Sequence, residues 1–178
     1  MANTKWVVDP MHSEMQFKVK RLKITTVTGH LRYFNIEAFT PDEEFTGIAG
    51  LVFTADVNPI STNNEQRDTH LKSPDFFDAE QQNEIRFVAT GYENAGGNEY
   101  KLQGDLSIRD VTIPITVNAE FGGIVIAPYG QAKAGFTVDG KISRKDFGLS
   151  SNAVTEAGKV VSDEIRLHAE VQLVKQSV

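Results

Sequence analysis

The chain of 178 residues has no cysteine and no long hydrophobic run. Without cysteine it can form neither disulfide bonds nor thiolate metal sites. No segment approaches the roughly 20 apolar residues that a membrane-spanning helix needs. At the amino terminus, MANTKWVVDP reaches a proline before the apolar core of a signal peptide can develop. We therefore predict a cytoplasmic protein that does not span a membrane, or a periplasmic one if a signal peptide has been removed.

Positive charge is also scarce. The chain has 18 lysines and arginines against 24 aspartates and glutamates, which gives a net charge of −6. A protein of this charge has no general attraction to phosphate backbones, so we expect no nucleic-acid partner.

Recognisable catalytic motifs are absent from the sequence. The histidines lack metal-ligand spacing, and there is no G-x-S-x-G, Walker or dinucleotide-binding motif. Asp68, Asp75 and Asp78 suit helix caps and turns better than acid–base chemistry. We predict a protein that is not an enzyme, with no catalytic residues, metal or cofactor. An enzyme acting on a lipid through His70, Asp75 or Asp78 is a much weaker alternative.

What the sequence does have is alternation of apolar and polar residues. It recurs in eight segments: 15–19, 34–38, 51–57, 85–89, 100–108, 113–121, 132–138 and 165–173. This period of two predicts strands with one buried face, typical of an antiparallel barrel or sandwich. We predict an all-β, single-domain chain (1–178) of about eight strands. Residues 94–98 suit a hairpin turn, whereas alternation continues through Asp139-Gly140 and predicts one long bent strand there.

Residues 63–78 interrupt this pattern with a polar segment. Thr62 and Glu65 have capping-box spacing, and Ser73-Pro74 ends the helix. A short helical insert is therefore predicted near 63–78, presenting Phe76 and Phe77. It either plugs one end of a barrel or is a packed connection with no ligand role.

The apolar face of the strands combines small residues with phenylalanines, which leaves two interpretations open. The small residues either leave a central slot or alternate with large ones to fit the taper of a filled barrel. Ionisable groups are almost absent from this face, so any ligand inside would be mostly hydrocarbon.

Several motifs also occur in a characteristic order along the chain. They are Asp9-Pro10-x-His12-Ser13, Gly29-x-Leu31-x-x-Phe34, Arg67-Asp68-x-His70-Leu71-x-Ser73-x-Asp75-Phe76-Phe77-Asp78, Gly104-x-Leu106-x-Ile108-Arg109 and Arg144-x-Asp146-Phe147-Gly148-Leu149. Together they resemble the YceI-like family of lipid-binding proteins over essentially the whole chain. The resemblance implies a lipocalin-like antiparallel β-barrel with a hydrophobic pore that binds polyisoprenoids, without catalysis and often as a homodimer.

The function predicted from residues and resemblance is non-catalytic binding of a long-chain lipid for transport, storage or sequestration. Candidate ligands are a polyisoprenoid, an isoprenoid quinone or a fatty amide. The alternative is a filled barrel that acts through its surface as an interaction or stress-response module. The predicted ligand-binding residues are Phe17, Val19, Phe34, Ile36, Phe53, Ala55, Phe76, Phe77, Phe87, Leu102, Leu106, Val117, Phe136, Val138 and Leu167.

Overall fold

The computed structural model describes residues 3–21, 25–31, 33–42, 44–45, 47–56, 84–108, 111–143, 145–147, 154–155, 158–159 and 161–176. These ranges contain twelve strands. The strands are β1 (Thr4–Val8), β2 (Glu14–Arg21), β3 (Thr25–His30), β4 (Phe34–Thr40), β5 (Gly50–Asp56), β6 (Glu84–Gly96), β7 (Glu99–Ile108), β8 (Val111–Ile126), β9 (Ala132–Ser143), β10 (Val154–Thr155), β11 (Gly158–Lys159) and β12 (Val161–Lys175).

Ten of these strands form one antiparallel sheet, and the pairing of β1 with β12 closes it into a barrel. β2 and β1 pair in succession with the same edge of β12, so the two together make one barrel strand. β3 and β4 pair with β2 and β1 in the same way and make a second. The result is a closed antiparallel barrel of eight strands, which confirms the predicted fold.

The Asp9–Ser13 motif connects β1 to β2 and is bonded to neighbouring strands of the barrel. Asp9 accepts a hydrogen bond from the Met11 amide (3.1 Å) and contacts His12 Nδ1 (2.7 Å) and Lys133 Nζ (3.2 Å). The hydrogen bond from His12 is the main reason that the pKa of Asp9 is lowered. Ser13 Oγ in turn accepts the Gln172 amide (2.9 Å). This motif therefore has a structural role.

Each of the eight alternating segments falls in a different strand of the barrel, apart from position 57, which lies outside the described residues, so the strand predictions are confirmed. The hairpin at 94–98 is also confirmed, with Gly96 and Gly97 at φ values of 120° and 55°. β9 runs unbroken through Gly140, as expected. β1, β3, β10 and β11 were not predicted. The helical insert near 63–78 lies outside the described residues.

The two ends of the barrel differ in which connections they carry. The loop between β4 and β5 and the turns after β6 and β8 lie at the same end as Thr4 and Lys175. We call this the plugged end, because the buried side chain of Phe45 closes it. At the opposite end lie the strand ends at Arg21, Thr25, Asp56, Glu84, Ile108, Val111, Ser143 and Val161.

Candidate functional site

An apolar cavity of about 160 Å³ runs inside the barrel. Its walls come from all eight barrel strands and from the β4–β5 loop. The lining residues are Met15, Phe17, Leu31, Ile36, Phe45, Ile48, Leu51, Phe53, Ile85, Phe87, Tyr92, Leu102, Leu106, Ile108, Ile115, Val117, Ala119, Phe136, Val138, Ile142, Ile165, Leu167, His168, Ala169, Val171 and Leu173.

The cavity is long and narrow. On β12 it extends from Ile165 to Leu173. At about 3.3 Å per residue and a strand tilt near 40°, this span corresponds to about 20 Å along the barrel axis. A small volume spread over that length makes a slot, which fits one thin chain better than a fused ring system.

The polar groups that border the cavity already have partners. The Tyr92 hydroxyl donates to the Phe45 carbonyl (3.0 Å). Burial raises the pKa of Tyr92 above its ordinary value, so the phenol keeps its proton and remains a donor. The His168 ring contacts Asp139 (2.7 Å) and Glu170 (3.2 Å) on the outer face. The described walls therefore offer a ligand hydrocarbon contact and almost no hydrogen bonding.

Phe45 closes the plugged end. Although it belongs to the β4–β5 loop, its side chain is only 1% exposed. Its ring centroid lies 4.8 Å from that of Trp6, 5.0 Å from Phe136 and 6.0 Å from Phe121. Behind it, the Trp6 indole N–H donates to Thr40 Oγ1 (3.0 Å). The result is a desolvated aromatic cluster that separates the cavity from solvent.

Two inward-facing glycines accommodate phenylalanine rings. A Cβ at Gly104 would lie 2.4 Å from Cζ of Phe87, and one at Gly29 would lie 2.2 Å from Cζ of Phe17. The missing side chains therefore make room for rings of the neighbouring strands. Ala119 and Ala169, by contrast, line the cavity. Some small residues therefore make room for phenylalanine rings, and others line the slot. Each of the two interpretations left open by the sequence is partly correct.

Most of the predicted site residues lie around the cavity. Those that line it are Phe17, Ile36, Phe53, Phe87, Leu102, Leu106, Val117, Phe136, Val138 and Leu167. Val19 is buried in the core without lining the cavity. Phe34 and Ala55 border a separate surface hollow beside Asp56 and Glu84. Phe76 and Phe77 lie outside the described residues.

Sequence reasoning missed two kinds of lining residue. Ile85, Ile115 and Ile165 were in phase with the predicted strands, so alternation could have found them. Phe45 and Ile48 lie in an acidic loop, PDEEFTGIA, with no periodicity to indicate that they point inward.

The titratable groups of the described barrel are concentrated outside the cavity. The pKa of His168 is raised, chiefly by its hydrogen bond to Asp139 on the outer face. Within the described ranges, no three His, Asp or Glu side chains are grouped as a metal site would require. The same part of the chain contains no helix with the length and hydrophobicity to cross a membrane.

Comparison with known proteins places the chain in a family. The model of the YceI-like domain matches residues 6–173. A UPF0312 protein of Staphylococcus epidermidis is 36% identical over 161 residues, covering 89% of this chain and 90% of that protein. The crystal structure of a Campylobacter jejuni YCEI protein is 30% identical, with a TM-score of 0.75 over 89% of this chain and 90% of that one.

A more distant structure shares the fold alone. It is a polyisoprenoid-binding domain from Saccharophagus degradans, 11% identical, with a TM-score of 0.66 over 97% of this chain and 98% of that one. The agreement of fold, matched residues and relatives is decisive: the chain belongs to the YceI-like domain family.

Proposed function

We propose that this protein binds one long-chain apolar or amphiphilic lipid in its barrel and does not transform it. The observation that carries the proposal is the slot, whose described walls are almost entirely hydrocarbon from Ile165 to Leu173 along β12. The polyisoprenoid-binding neighbour of the same fold supports it. A polyisoprenoid, the tail of an isoprenoid quinone and a fatty amide all supply the flexible chain that such a slot accepts.

The size of the slot limits what can enter. Its volume of about 160 Å³ is close to that of a cavity of about 150 Å³ that holds benzene. A long chain must therefore displace lining side chains as it enters. Flexible single chains can do this stepwise, whereas rigid ring systems cannot. We propose that the polar part of an amphiphile stays outside the narrow section.

Affinity would come from burying the chain. Each methylene removed from water contributes about 0.8 kcal/mol, or roughly a fourfold gain in affinity. Ordering of the chain offsets part of this gain. The binding keeps the chain from water, which is the physical requirement common to transport, storage and sequestration. We propose one of these roles for the protein.

Substituting Leu102 by Gln should weaken lipid binding at least tenfold, because it leaves a buried amide without hydrogen-bond partners. The matched control is Lys101→Gln, one residue away on the outer face of β7. Binding of farnesol or hexadecanol to delipidated protein would be measured by calorimetry. Mass spectrometry of an organic extract, compared with a mock purification, would identify a co-purified lipid. Absence of saturable binding to the unsubstituted protein would contradict the proposed function.

A second candidate is action through the surface, favoured by an exposed strand edge. β7 pairs with β8 only as far as Glu99 opposite Glu120, and within the described residues β8 then pairs with β9 alone. Val125 and Ile126 are 64% and 69% exposed, and Tyr129 at the adjoining turn is 95% exposed. Residues 121–132 carry no charge in a chain of net charge −6. Such an edge is suited to pairing with another strand.

We propose that a second copy of the chain pairs with this edge, giving a homodimer. Val125→Lys should then raise the dimer dissociation constant at least tenfold, because two lysines would approach each other across the interface. The control is Val88→Lys, at an exposed position on β6 away from the edge. Analytical ultracentrifugation over a range of concentrations would measure both. An unsubstituted protein that stays monomeric throughout would rule the dimer out.

A further inference from the structure

Phe45 occupies a particular position at the end of the slot. It lines the cavity, whereas Trp6 and Phe121, which contact its ring, do not. Phe45 therefore stands between the cavity and the rest of the aromatic cluster. Removing its ring would extend the slot towards Trp6.

The ring is held in place by both its backbone and its neighbours. The Phe45 carbonyl accepts the Tyr92 hydroxyl at 3.0 Å, and Tyr92 itself stacks on Tyr100 with ring centroids 4.3 Å apart. On the other side, Phe136 packs edge-on against Phe45. Close packing on several sides resists displacement, in contrast to the flexible aliphatic side chains further along the slot.

The described residues at this end of the slot have no free hydrogen-bond donor for a polar head group. The Trp6 indole N–H, the Tyr92 hydroxyl and the Thr40 hydroxyl each already have an acceptor. The Tyr100 hydroxyl is hydrogen-bonded to Tyr92. A hydroxyl, amide or quinone placed against Phe45 would lose its bonds to water without replacement. A hydrocarbon end has no hydrogen bonds to water that it could lose.

We propose that Phe45 sets the maximum chain length that the slot accepts, and that the hydrocarbon end of the ligand lies against it. The polar end then points towards the opposite end of the barrel. The proposal rests on the proposed function, since it assigns an orientation and a length limit to the same ligand.

Trp6 provides a direct test of orientation. It is the single tryptophan of the chain, and its ring lies 4.8 Å from that of Phe45. Bromine is a short-range quencher of tryptophan fluorescence, so its position on a bound chain can be read. We expect hexadecanol brominated at its terminal carbon to quench the fluorescence of Trp6. Hexadecanol brominated beside the hydroxyl should leave that fluorescence unchanged. The reverse pattern, or equal quenching by both, would overturn the orientation.

A chain-length series tests the limit. For the unsubstituted protein, the affinity for linear alcohols should rise roughly fourfold per methylene and then stop rising at one length. Phe45→Ala should move that length upwards. Phe45→Leu, a milder change that preserves packing better, should move it in the same direction. Phe53→Leu is the control. Phe53 also lines the slot, but its ring packs against Phe34 with centroids 6.1 Å apart, so this substitution should alter all affinities without moving the limit.

The outcomes separate this proposal from the proposed function. If no alcohol binds the unsubstituted protein, lipid binding itself fails. If the alcohols bind with a length limit that neither Phe45 variant moves, lipid binding stands and the role of Phe45 is wrong. A limit that moves equally in the Phe53→Leu protein would also refute it.

Discussion

Replacing Val117 by Asp should lower the free energy of unfolding by about 3–5 kcal/mol at neutral pH, whereas Thr116→Asp on the opposite face of β8 should have little effect. Val117 is 8% exposed, lines the slot and packs against Gly140. Among the described residues that line the slot, the one basic side chain is His168, and its ring is paired with Asp139 and Glu170 on the outer face. An unpaired buried charge costs about 3–5 kcal/mol, a large part of the 5–15 kcal/mol that stabilises a typical domain. The adjacent Thr116 is exposed, so a carboxylate there keeps its water.

The pH dependence distinguishes a buried charge from simple loss of packing. Burial raises the pKa of the introduced carboxyl above its ordinary value of about 3.9. At pH values between the ordinary pKa, which applies to the unfolded state, and the raised pKa of the folded state, the folded state binds more protons than the unfolded state. The free energy of unfolding therefore falls as the pH rises through this range. Urea unfolding of the Val117→Asp protein should therefore show recovery towards acid pH relative to Val117→Asn. An identical pH profile for the two variants would mean that the carboxylate is solvated and the slot is wet at this position.

The strands could be predicted from the sequence because their signal is local. A face that points into the barrel must be apolar, and a period of two follows directly from strand geometry. Alternation did not predict β1 and β3, and the reasons are also local. In β1, Val7 is apolar although it points away from Trp6 and Val8, and β3 reads TTVTGH with hardly any apolar alternation.

The burial of Phe45 at the plugged end could not be predicted, because it depends on contacts with residues that are distant in the sequence. Phe45 is buried through contact with residues distant in sequence, and its carbonyl is bound by Tyr92, 47 residues later. An acidic loop with one phenylalanine reads as a solvated connection. The sequence did suggest that aromatic residues plug a barrel end, but on Phe76 and Phe77. That prediction remains untested, because both residues lie outside the described ranges.

The cavity was predicted only in outline, because alternation gives the face of each residue and not the identity of its neighbour. The register between neighbouring strands of the sheet brings Phe87 beside Gly104 and Phe17 beside Gly29. The apolar–polar pattern of each strand does not determine that register. The same pattern of small residues would fit a wide pore if the rings pointed elsewhere. The width of the slot is therefore a property of register and rotamer.

The Gly104→Ala substitution should destabilise the barrel by about 3 kcal/mol, at the upper end of what overpacking usually costs. The new Cβ would lie 2.4 Å from the Phe87 ring and 2.6 Å from the Val88 carbonyl oxygen. The ring can rotate away, but the carbonyl is part of the sheet and moves only with its strand. Chemical unfolding of the two proteins would measure the difference. Loss of lipid affinity should accompany it, because a displaced Phe87 ring enters the slot that it now lines.

Gly135→Ala is the matched control, since Gly135 also lies in a strand but a Cβ there meets nothing within 4 Å. It should be neutral or slightly stabilising, because alanine restricts the unfolded chain more than glycine does. Adding Phe87→Leu to Gly104→Ala should recover part of the loss, with a coupling of about 0.5–3 kcal/mol in a double-mutant cycle. A Gly104→Ala protein as stable as Gly135→Ala would show that the ring has free space above this glycine. The slot would then be wider than its lining side chains indicate, and rigid ligands would no longer be excluded by its width.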